Sequence, residues 1–248
     1  MGVTHHGRTE RLDLIDPSLR EWECTVVWSD PANPEAGIVL DRSAFYPGGG
    51  GQPPDHGVLL WGGVQTRVVD TRKGDDLYLI PAPGDPIPPT GTAVRGAVED
   101  ERRTLLMRTH SGLHVLCGVV FRDFGALVTG GNMEPAEARM DFNLPEVPPD
   151  FKTRLEELVN AEVAADRPVQ VRVLARDEAL ALPDIIRTQS NLIPADEQEI
   201  RIVDIVGLDQ QADGGTHVAS TRQIGKVSVV KVESKGKANR RVRVRIVD

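Results

Sequence analysis

Two histidines four residues apart, His110 and His114, are the strongest chemical signal in the sequence. They fall within EDERRTLLMRTHSGLHVLCGVVF (99–121), where apolar residues recur every three to four positions, as in a partly buried helix. Residues i and i+4 share one face of a helix, so both imidazoles can point at a common atom, as metal ligands do. Taken alone, the pair is more typical of two ordinary histidines satisfied by hydrogen bonds than of a metal site.

A second pair of ligand types, Asp213 and His217, lies in the segment QADGGTHVAST (211–221). Gly214 and Gly215 permit a tight backbone path, so the two side chains can fold back toward one point. Two helical histidines with a carboxylate and a histidine from a loop make four ligands, enough for a tetrahedral zinc site or for three ligands and a displaceable fourth position. The alternative is that DGG forms only a turn. We predict one divalent metal ion, with zinc as the expected metal.

A glycine-rich segment, FYPGGGGQPPDHG (45–57), is the third unusual feature. Its four consecutive glycines leave backbone N–H groups accessible and permit close approach of a ligand, a nucleic acid or another backbone. It is not a nucleotide-binding P-loop, because no Gly-Lys-Ser/Thr follows. The alternative is a flexible hairpin tip.

The segments that must position these residues divide into two groups. Before residue 100, short apolar or alternating runs at spacings of about ten residues, punctuated by Gly and Pro, predict a small antiparallel β-barrel. The runs are WECTVVW (22–28), GIVL (37–40), GVLLW (57–61), TRVVD (66–70), DLYLI (76–80) and TAVRGAV (92–98).

Helical and strand patterns alternate after residue 98, which predicts an α/β sandwich and hence an α+β fold overall. A helix follows Asp150, strands are predicted at 169–174 and 199–206, and a short helix at 176–182. The last two strands are predicted at KVSVVKVES (226–234) and RRVRVRIV (240–247) and, joined by KGKAN (235–239), form a hairpin. We therefore predict two domains, residues 1–98 and 99–248.

The charge of the chain is acidic overall but basic at its end. A net charge of −8 does not favour binding of nucleic acid over the whole surface, since phosphate binding depends on Lys and Arg. Residues 222–245, however, contain nine basic residues and one acid, so they form either a local nucleic-acid contact or a solvated hairpin face. The absence of a long apolar run and of a signal-peptide pattern predicts a cytoplasmic protein without membrane contact.

These motifs, taken together, resemble those of the freestanding alanyl-tRNA editing proteins, the AlaX family, which are similar to the editing domain of alanyl-tRNA synthetase. The matching stretches cover nearly the whole chain and occur in the family's order. They are LDRSAFYPGGGGQPPDHG, RTHSGLHVL, ARMDF, IRIVDIVGLDQQADGGTHVAST with the following RQIG, and KGKANRRVRV.

The resemblance implies ATP-independent hydrolysis, in trans, of the ester of mischarged alanine tRNA, chiefly Ser-tRNA(Ala) and also Gly-tRNA(Ala). It implies catalysis through a metal bound by His110, His114, Asp213 and His217, and it predicts no protein partner. The residues expected to contact substrate are Gly49, Gly50, Gly51, Gln52, Leu113, Thr129 and Thr216. The residues expected to contact tRNA are Arg222, Lys235, Lys237, Arg240 and Arg241.

Two positions depart from the family pattern. Asp213 stands where the family usually has Cys, and a carboxylate shifts metal preference toward ions that favour oxygen ligands. Leu113 stands where a Thr hydroxyl is common, which leaves Thr129 or Asn132 to recognise a serine side chain and opens the question of amino-acid specificity. Two alternatives follow: a tRNA-binding module with altered catalysis, or a metal hydrolase of another aminoacyl ester.

Overall fold

The computed structural model describes residues 9–191 and 193–248, so the first eight residues of the predicted barrel domain lie outside the described residues. Two compact units are present. The barrel unit contains residues 9–49 and Pro53–Thr104, and the helix-sheet unit contains Gly50–Gln52 and Leu105–Asp248. The domain limits 1–98 and 99–248 stay predictions.

The barrel unit is a closed sheet of six antiparallel strands. Its elements are β1 (Glu10–Arg11), α1 (Leu12–Ile15), β2 (Glu21–Ser29), a 3-10 turn (Pro34–Ala36), β3 (Ile38–Leu40), β4 (Arg42–Ser43), β5 (Gly57–Trp61), β6 (Val64–Lys73), β7 (Leu77–Pro81) and β8 (Ala93–Val98). The barrel closes in the order β2-β3-β7-β6-β5-β8, and β1 pairs with β4 beside it. Side chains of β2 alternate between barrel interior and exterior, with Trp22, Cys24 and Val26 buried, as a two-residue period requires. The predicted antiparallel barrel is confirmed.

A buried ion pair closes the base of the glycine-rich segment within the barrel unit. The guanidinium of Arg103 contacts both carboxylate oxygens of Asp55, and both side chains are fully buried. One of these oxygens accepts the backbone N–H of Tyr46 at 2.7 Å, and the backbone N–H of Asp55 donates to the carbonyl of Tyr46 at 3.0 Å. The two ends of the segment 46–55 are therefore tied together.

In the part of the chain that the structure describes, the helix-sheet unit contains the longest helix and two sheets. Its elements are α2 (Asp100–Phe124), β9 (Val128–Glu134), β10 (Glu137–Phe142), α3 (Phe151–Ala164), β11 (Val169–Ala175), α4 (Arg176–Leu180), β12 (Glu199–Ile205), β13 (Asp209–Ala212), a 3-10 turn (Thr221–Ile224), β14 (Lys226–Ser234) and β15 (Arg240–Val247). The first turn of α2, up to Thr104, is counted with the barrel unit. One sheet has the order β14-β15-β10-β9 and the other the order β11-β12-β13. With the barrel, these elements confirm the predicted α+β fold.

Helix α2 is more buried than its sequence pattern indicates. All residues from Thr109 to Val120 are buried, so the helix has no solvent face over three turns. Gly112 lies close to β15, where an added Cβ would be 3.1 Å from the side chain of Ile246. A helix enclosed on every side brings polar side chains into the interior, and each of them needs a hydrogen-bond partner. Among the described residues, no helix is both long and apolar enough to cross a membrane.

Helix α3 is attached to the outer strand of the four-stranded sheet through side chains. The side-chain amide of Asn160 donates to the carbonyl of Val227 at 2.7 Å and accepts the backbone N–H of Val227 at 2.9 Å. These are the hydrogen bonds that a neighbouring strand would form. Glu156 accepts the N–H of Val229 at 2.7 Å. The helix therefore covers the edge of β14 and satisfies its backbone. It begins directly after Asp150, as predicted, although that residue's side chain makes no capping hydrogen bond.

We expect Arg103→Met to lower the free energy of unfolding by about 3–5 kcal/mol, because it leaves the Asp55 carboxylate buried without its cation. Urea denaturation of both proteins measures the difference. Arg67→Ala is the control, since its partner Asp85 is held in an exposed pair and a much smaller change is expected. Equal losses for the two variants would contradict the assignment of the Arg103 pair as a structural tie.

Candidate metal centre

Four buried side chains, two from α2 and two from the loop after β13, offer ligand atoms to one point. One atom from each of His110, His114, Asp213 and His217 lies within 4.8 Å of the others. Helix α2 supplies the first two, one turn apart on the same face, and the tight turn at 213–217 supplies the rest. The structure thus brings together all four predicted ligands, and their role in binding metal stays a prediction.

The two carboxylate oxygens of Asp213 have different neighbours. Oδ2 accepts the backbone N–H of Gly215 at 2.6 Å and lies 3.0 Å from Nε2 of His217. Oδ1 faces Nε2 of His110 at 3.5 Å and Nε2 of His114 at 4.0 Å. The Nε2 atoms of all three imidazoles therefore point toward the same carboxylate.

The opposite ring nitrogen of each histidine has its own partner. Nδ1 of His110 lies 2.9 Å from Oε1 of Gln52. Nδ1 of His114 lies 3.3 Å from Oδ2 of Asp209. The third ring, His217, has its Nδ1 3.2 Å from the hydroxyl of Ser111. An outer partner at Nδ1 fixes the ring and leaves Nε2 for a metal ion.

The hydrogen bonds of Gln52 determine the tautomer of His110. Oε1 of Gln52 accepts the backbone N–H of Thr216 at 3.1 Å, and its Nε2 donates to the hydroxyl of Thr216 at 2.9 Å. Oε1 is therefore an acceptor, and the Nδ1 of His110 must carry the proton that it receives. The Nε2 lone pair of His110 then faces an oxygen of Asp213 at 3.5 Å. Two electron-pair donors that converge in this way fit a cation between them, so the residues present suit a metal ion.

The protonation states of three of the four groups, His110, His217 and Asp213, agree with this fit. Burial lowers the pKa of His110 to about 4, more than the charge of Asp213 raises it. Burial and the neighbouring histidines hold the pKa of His217 well below its usual range. The pKa of Asp213 lies well below its ordinary value, because the interactions with His110 and His217 outweigh burial. For His114, burial acts downward, but the hydrogen bond to Asp209 raises the pKa above its ordinary value. Neutral imidazoles and an ionised carboxylate are the forms that bind metals.

A cavity of about 570 Å³ adjoins the cluster. Three of the four cluster residues line it, together with four residues of the predicted substrate site, Gly50, Gly51, Leu113 and Thr129. One wall is the segment 185–191, which β9 holds in place: the backbone N–H of Val128 donates to the carbonyl of Arg187 at 2.8 Å. The cavity combines apolar and polar walls, as small-molecule sites do.

The other residues predicted to contact substrate have different surroundings. Gln52 and Thr216 are buried and hydrogen-bonded to each other, and Gln52 also supports His110. Gly49 belongs to the barrel unit, where its carbonyl accepts the hydroxyl of Tyr46 at 2.9 Å. Their contact with substrate stays a prediction. Their positions among the described residues indicate that Gln52 orients His110, one of the four predicted ligands.

Ion pairs among the described residues engage five of the nine basic residues in 222–245. Among the residues predicted to bind tRNA, Arg222 pairs with Asp166 and Arg241 pairs with Asp141. Arg240 donates to backbone carbonyls, including that of Asn239 at 3.1 Å. Lys235 and Lys237, at the tip of the hairpin, are exposed and form no ion pair with a described residue. Only part of the positive charge of these nine basic residues is therefore available to bind a polyanion.

Three supporting residues were not found from the sequence. Asp209 and Ser111 contact the outer nitrogens of two histidines, and Arg201 donates to the carbonyl of Asp213 at 2.9 Å. Asp209 precedes Asp213 by four residues, and Ser111 follows His110 directly. Proximity in sequence to a ligand was the only signal available, and it does not separate these residues from their neighbours.

Comparison with known proteins gives similarity over nearly the full chain. The model of the threonyl and alanyl tRNA synthetase second additional domain matches residues 200–243. The chain is 36% identical over 241 residues to an alanyl-tRNA editing protein AlaX-M of Saccharolobus solfataricus, which covers 94% of this chain and 97% of the relative. An AlaX-M of Methanosarcina barkeri is 34% identical over 247 residues, covering 97% of this chain and all of the relative. An alanine–tRNA ligase of Pyrobaculum neutrophilum is 39% identical over 203 residues, 79% of this chain and 22% of the ligase.

The loop lies close to His110 at Gly215, and Gly215→Ala tests this geometry. A Cβ at this position would lie 2.2 Å from Cε1 and 2.3 Å from Nδ1 of His110, so the ring must move. We expect zinc affinity, measured by chelator competition, to fall at least about tenfold, since displacing a ligand from its supporting partner costs this much. Gly130→Ala is the control, because its Cβ would meet nothing nearer than 3.8 Å. Unchanged zinc affinity in Gly215→Ala would exclude His110 as a ligand.

Proposed function

The chain belongs to the family of freestanding alanyl-tRNA editing proteins, and from this we propose that it hydrolyses the ester bond of mischarged alanine tRNA with the help of a bound divalent metal ion. Members of this family are aminoacyl-tRNA deacylases, which are hydrolases acting on ester bonds. The observation that carries the proposal is the buried cluster of three histidines and one aspartate at the wall of the 570 Å³ cavity. The cluster suits a metal ion, and the cavity suits the aminoacyl end of a tRNA.

The substrates that we propose are Ser-tRNA(Ala) chiefly and Gly-tRNA(Ala). Leu113 lines the cavity one residue before His114 and offers no hydrogen-bond partner to a serine hydroxyl. Thr129 and Asn132 line the same cavity and carry the polar groups that would take this role. Glycine needs no such partner. The preference for serine over glycine therefore depends on Thr129 and Asn132, because a site without a hydrogen-bond partner for the hydroxyl discriminates weakly in favour of serine.

A divalent ion at this site, when bound, would polarise the ester carbonyl, orient the aminoacyl group or activate a water molecule. His110, His114, Asp213 and His217 would hold it, with zinc as the expected metal. The carboxylate in the set also admits metals that favour oxygen ligands.

The protein's own residues position the reacting groups. Gln52 connects the glycine-rich segment to His110 and to the backbone of Thr216, so it fixes one ligand and the loop that carries two others. Arg201 holds the same loop from the other side: it donates to the carbonyl of Asp213, and its own carbonyl accepts the backbone N–H of Asp213 at 3.0 Å. Ligands fixed in this way before substrate arrives need no rearrangement during the reaction.

The tip of the C-terminal hairpin is the proposed contact with the tRNA backbone. Lys235 and Lys237 lie on the turn between β14 and β15. Asn239 is at the end of this turn, and its side-chain oxygen accepts the hydroxyl of Thr129 at 3.3 Å. Thr129 lines the cavity. Lys237 is two residues from Asn239 and Lys235 is four, so we infer that the two lysines lie near the cavity, where they would meet phosphates near the aminoacylated end. We propose that Arg222, Arg240 and Arg241 assist, although their charges are already engaged within the protein.

Deacylation of Ser-tRNA(Ala) should be abolished by a chelator and restored by added zinc. We expect Asp213→Ala to lower kcat/KM by at least about a hundredfold, in the range seen when metal binding is disturbed. Asp213→Cys should retain zinc through a thiolate and keep measurable activity, with less tolerance for metals that favour oxygen ligands. Single-turnover deacylation and elemental analysis of the three proteins provide the measurements. Metal-loaded protein that leaves Ser-, Gly- and Ala-tRNA(Ala) intact would refute the proposed activity. Full activity in metal-free protein would refute its metal dependence.

Removing the two lysines at the hairpin tip should weaken tRNA binding without changing the metal site. For Lys235→Ala with Lys237→Ala, we expect a higher KM and a salt dependence whose logarithmic slope is smaller by about 0.7–0.9 for each phosphate that is no longer neutralised. The charge-matched control is Arg243→Ala with Arg245→Ala, since these arginines pair with Glu233 and Glu137. If both double variants changed KM equally, net charge rather than this tip would govern tRNA binding.

A further inference from the structure

A second buried charge cluster lies behind the metal centre, around Asp209 at the start of β13. The side chain of Asp209 is fully buried. Its Oδ1 accepts Nε of Arg187 at 3.1 Å, and its Oδ2 accepts the amide of Gln211 at 2.6 Å. The same Oδ2 lies 3.3 Å from Nδ1 of His114. The described polar side chains that contact this carboxylate can all donate, and its two oxygens can accept from all of them.

Arg187 is itself fixed by three further contacts. Its guanidinium lies 3.9 Å from the ring centroid of Phe121, and it donates to the carbonyl of Asp184. Its backbone carbonyl accepts the N–H of Val128. An arginine held in this way presents Nε to Asp209 in one orientation, so it orients the carboxylate as well as neutralising it.

Helix α2 has a gap at the position where Asp209 approaches it. Gly118 lies one turn after His114, and an added Cβ at Gly118 would be 2.9 Å from the Cβ of Asp209. Glycine at this position therefore lets β13 approach the helix closely enough for the carboxylate to reach the ring. The contact between Asp209 and His114 depends on this close approach of the two backbones.

We propose that Asp209, oriented by Arg187, is a positioning residue that holds His114 as the Nδ1–H tautomer, with its Nε2 lone pair directed at the metal site. The inference rests on the metal site of the proposed function. It assigns no contact between Asp209 and substrate. A carboxylate behind a metal-binding imidazole fixes the ring and strengthens it as a ligand.

The substitution Asp209→Asn tests this orientation because an amide has one acceptor atom and one donor group. The charged Arg187 and the new side chain both carry donors, so the amide oxygen should turn toward Arg187. The NH2 group then faces Nδ1 of His114, and the ring must accept there and carry its proton on Nε2. A proton on Nε2 blocks metal binding, so the variant should invert the tautomer while keeping the shape of the site.

The first measurement needs no metal ion. Two-bond ¹H–¹⁵N correlation spectra of metal-free protein, recorded at a pH above the raised pKa of His114, distinguish the two tautomers of its neutral imidazole, and His114→Gln identifies the signals of that ring. We expect wild-type His114 to carry its proton on Nδ1 and Asp209→Asn to carry it on Nε2. The matched control is Asp204→Asn, because Asp204 on neighbouring β12 accepts the amide of Gln210 at 3.1 Å and hydrogen-bonds to no histidine among the described residues. An unchanged tautomer in Asp209→Asn would overturn the proposal.

The second measurement is zinc affinity by competition with a chromophoric chelator. We expect Asp209→Asn to bind zinc about 10- to 100-fold more weakly, and Asp204→Asn to bind it as the wild type does. Circular dichroism and thermal unfolding check that both variants fold, and the tautomer measurement is restricted to folded protein. Equal zinc affinity in wild type and folded Asp209→Asn would overturn the proposal.

The outcomes separate this inference from the proposed function. Wild-type protein that binds zinc through His114 but leaves mischarged tRNA intact would refute the deacylase activity, while the ratio of zinc affinities would still test Asp209. If the wild type deacylates Ser-tRNA(Ala) but wild type and Asp209→Asn bind zinc equally well, only the role of Asp209 is refuted, and the proposed activity stands. Wild-type protein that binds no zinc would overturn the role of Asp209 in metal binding.

Discussion

Three imidazoles and a carboxylate buried within 4.8 Å of one another impose the strongest constraint on this structure. A buried polar atom without a partner is costly, so each ring nitrogen that faces away from the cluster needs a partner of its own. The partners come from three separate places: the glycine-rich segment, helix α2 and strand β13. The relative positions of these elements within the helix-sheet unit are therefore tied to the chemistry of four side chains.

Glycine makes two of these close approaches possible. At Gly215 the loop lies against the ring of His110, and at Gly118 helix α2 lies against the base of Asp209. A Cβ at either position would overlap its neighbour. The site is compact because glycines, which have no side chain, stand where the backbone lies against its neighbours. The space between these elements is filled by the four cluster residues and the side chains that contact their outer nitrogens. The same close approach of backbones explains how a helix that is buried from Thr109 to Val120 can carry several polar side chains.

Local patterns predicted the secondary structure well where one face of an element is buried. The strands at 57–61, 226–234 and 240–247 have the predicted limits, because alternation in a half-buried strand is a local property. Strand β13, Asp209–Ala212, was not predicted, since its residues are mostly polar. The sequence pattern also underestimates the burial of α2. The spacing of apolar residues predicts which face of a helix is buried, but it does not predict that the polar residues on the other faces are buried as well. The basic hairpin likewise gave no sign that acids elsewhere, such as Asp141, neutralise part of it.

The sequence by itself determined which residue types could bind a metal and that they come in two local pairs. Helical periodicity places His110 and His114 on one face, and a glycine turn folds His217 back toward its neighbours, because both effects act within five residues. Only the tertiary structure decided how these rings are held. Gln52 lies 58 residues from His110, and Asp209 lies 95 residues from His114. Contacts across such distances depend on how sheets and helices pack, and no local pattern encodes them.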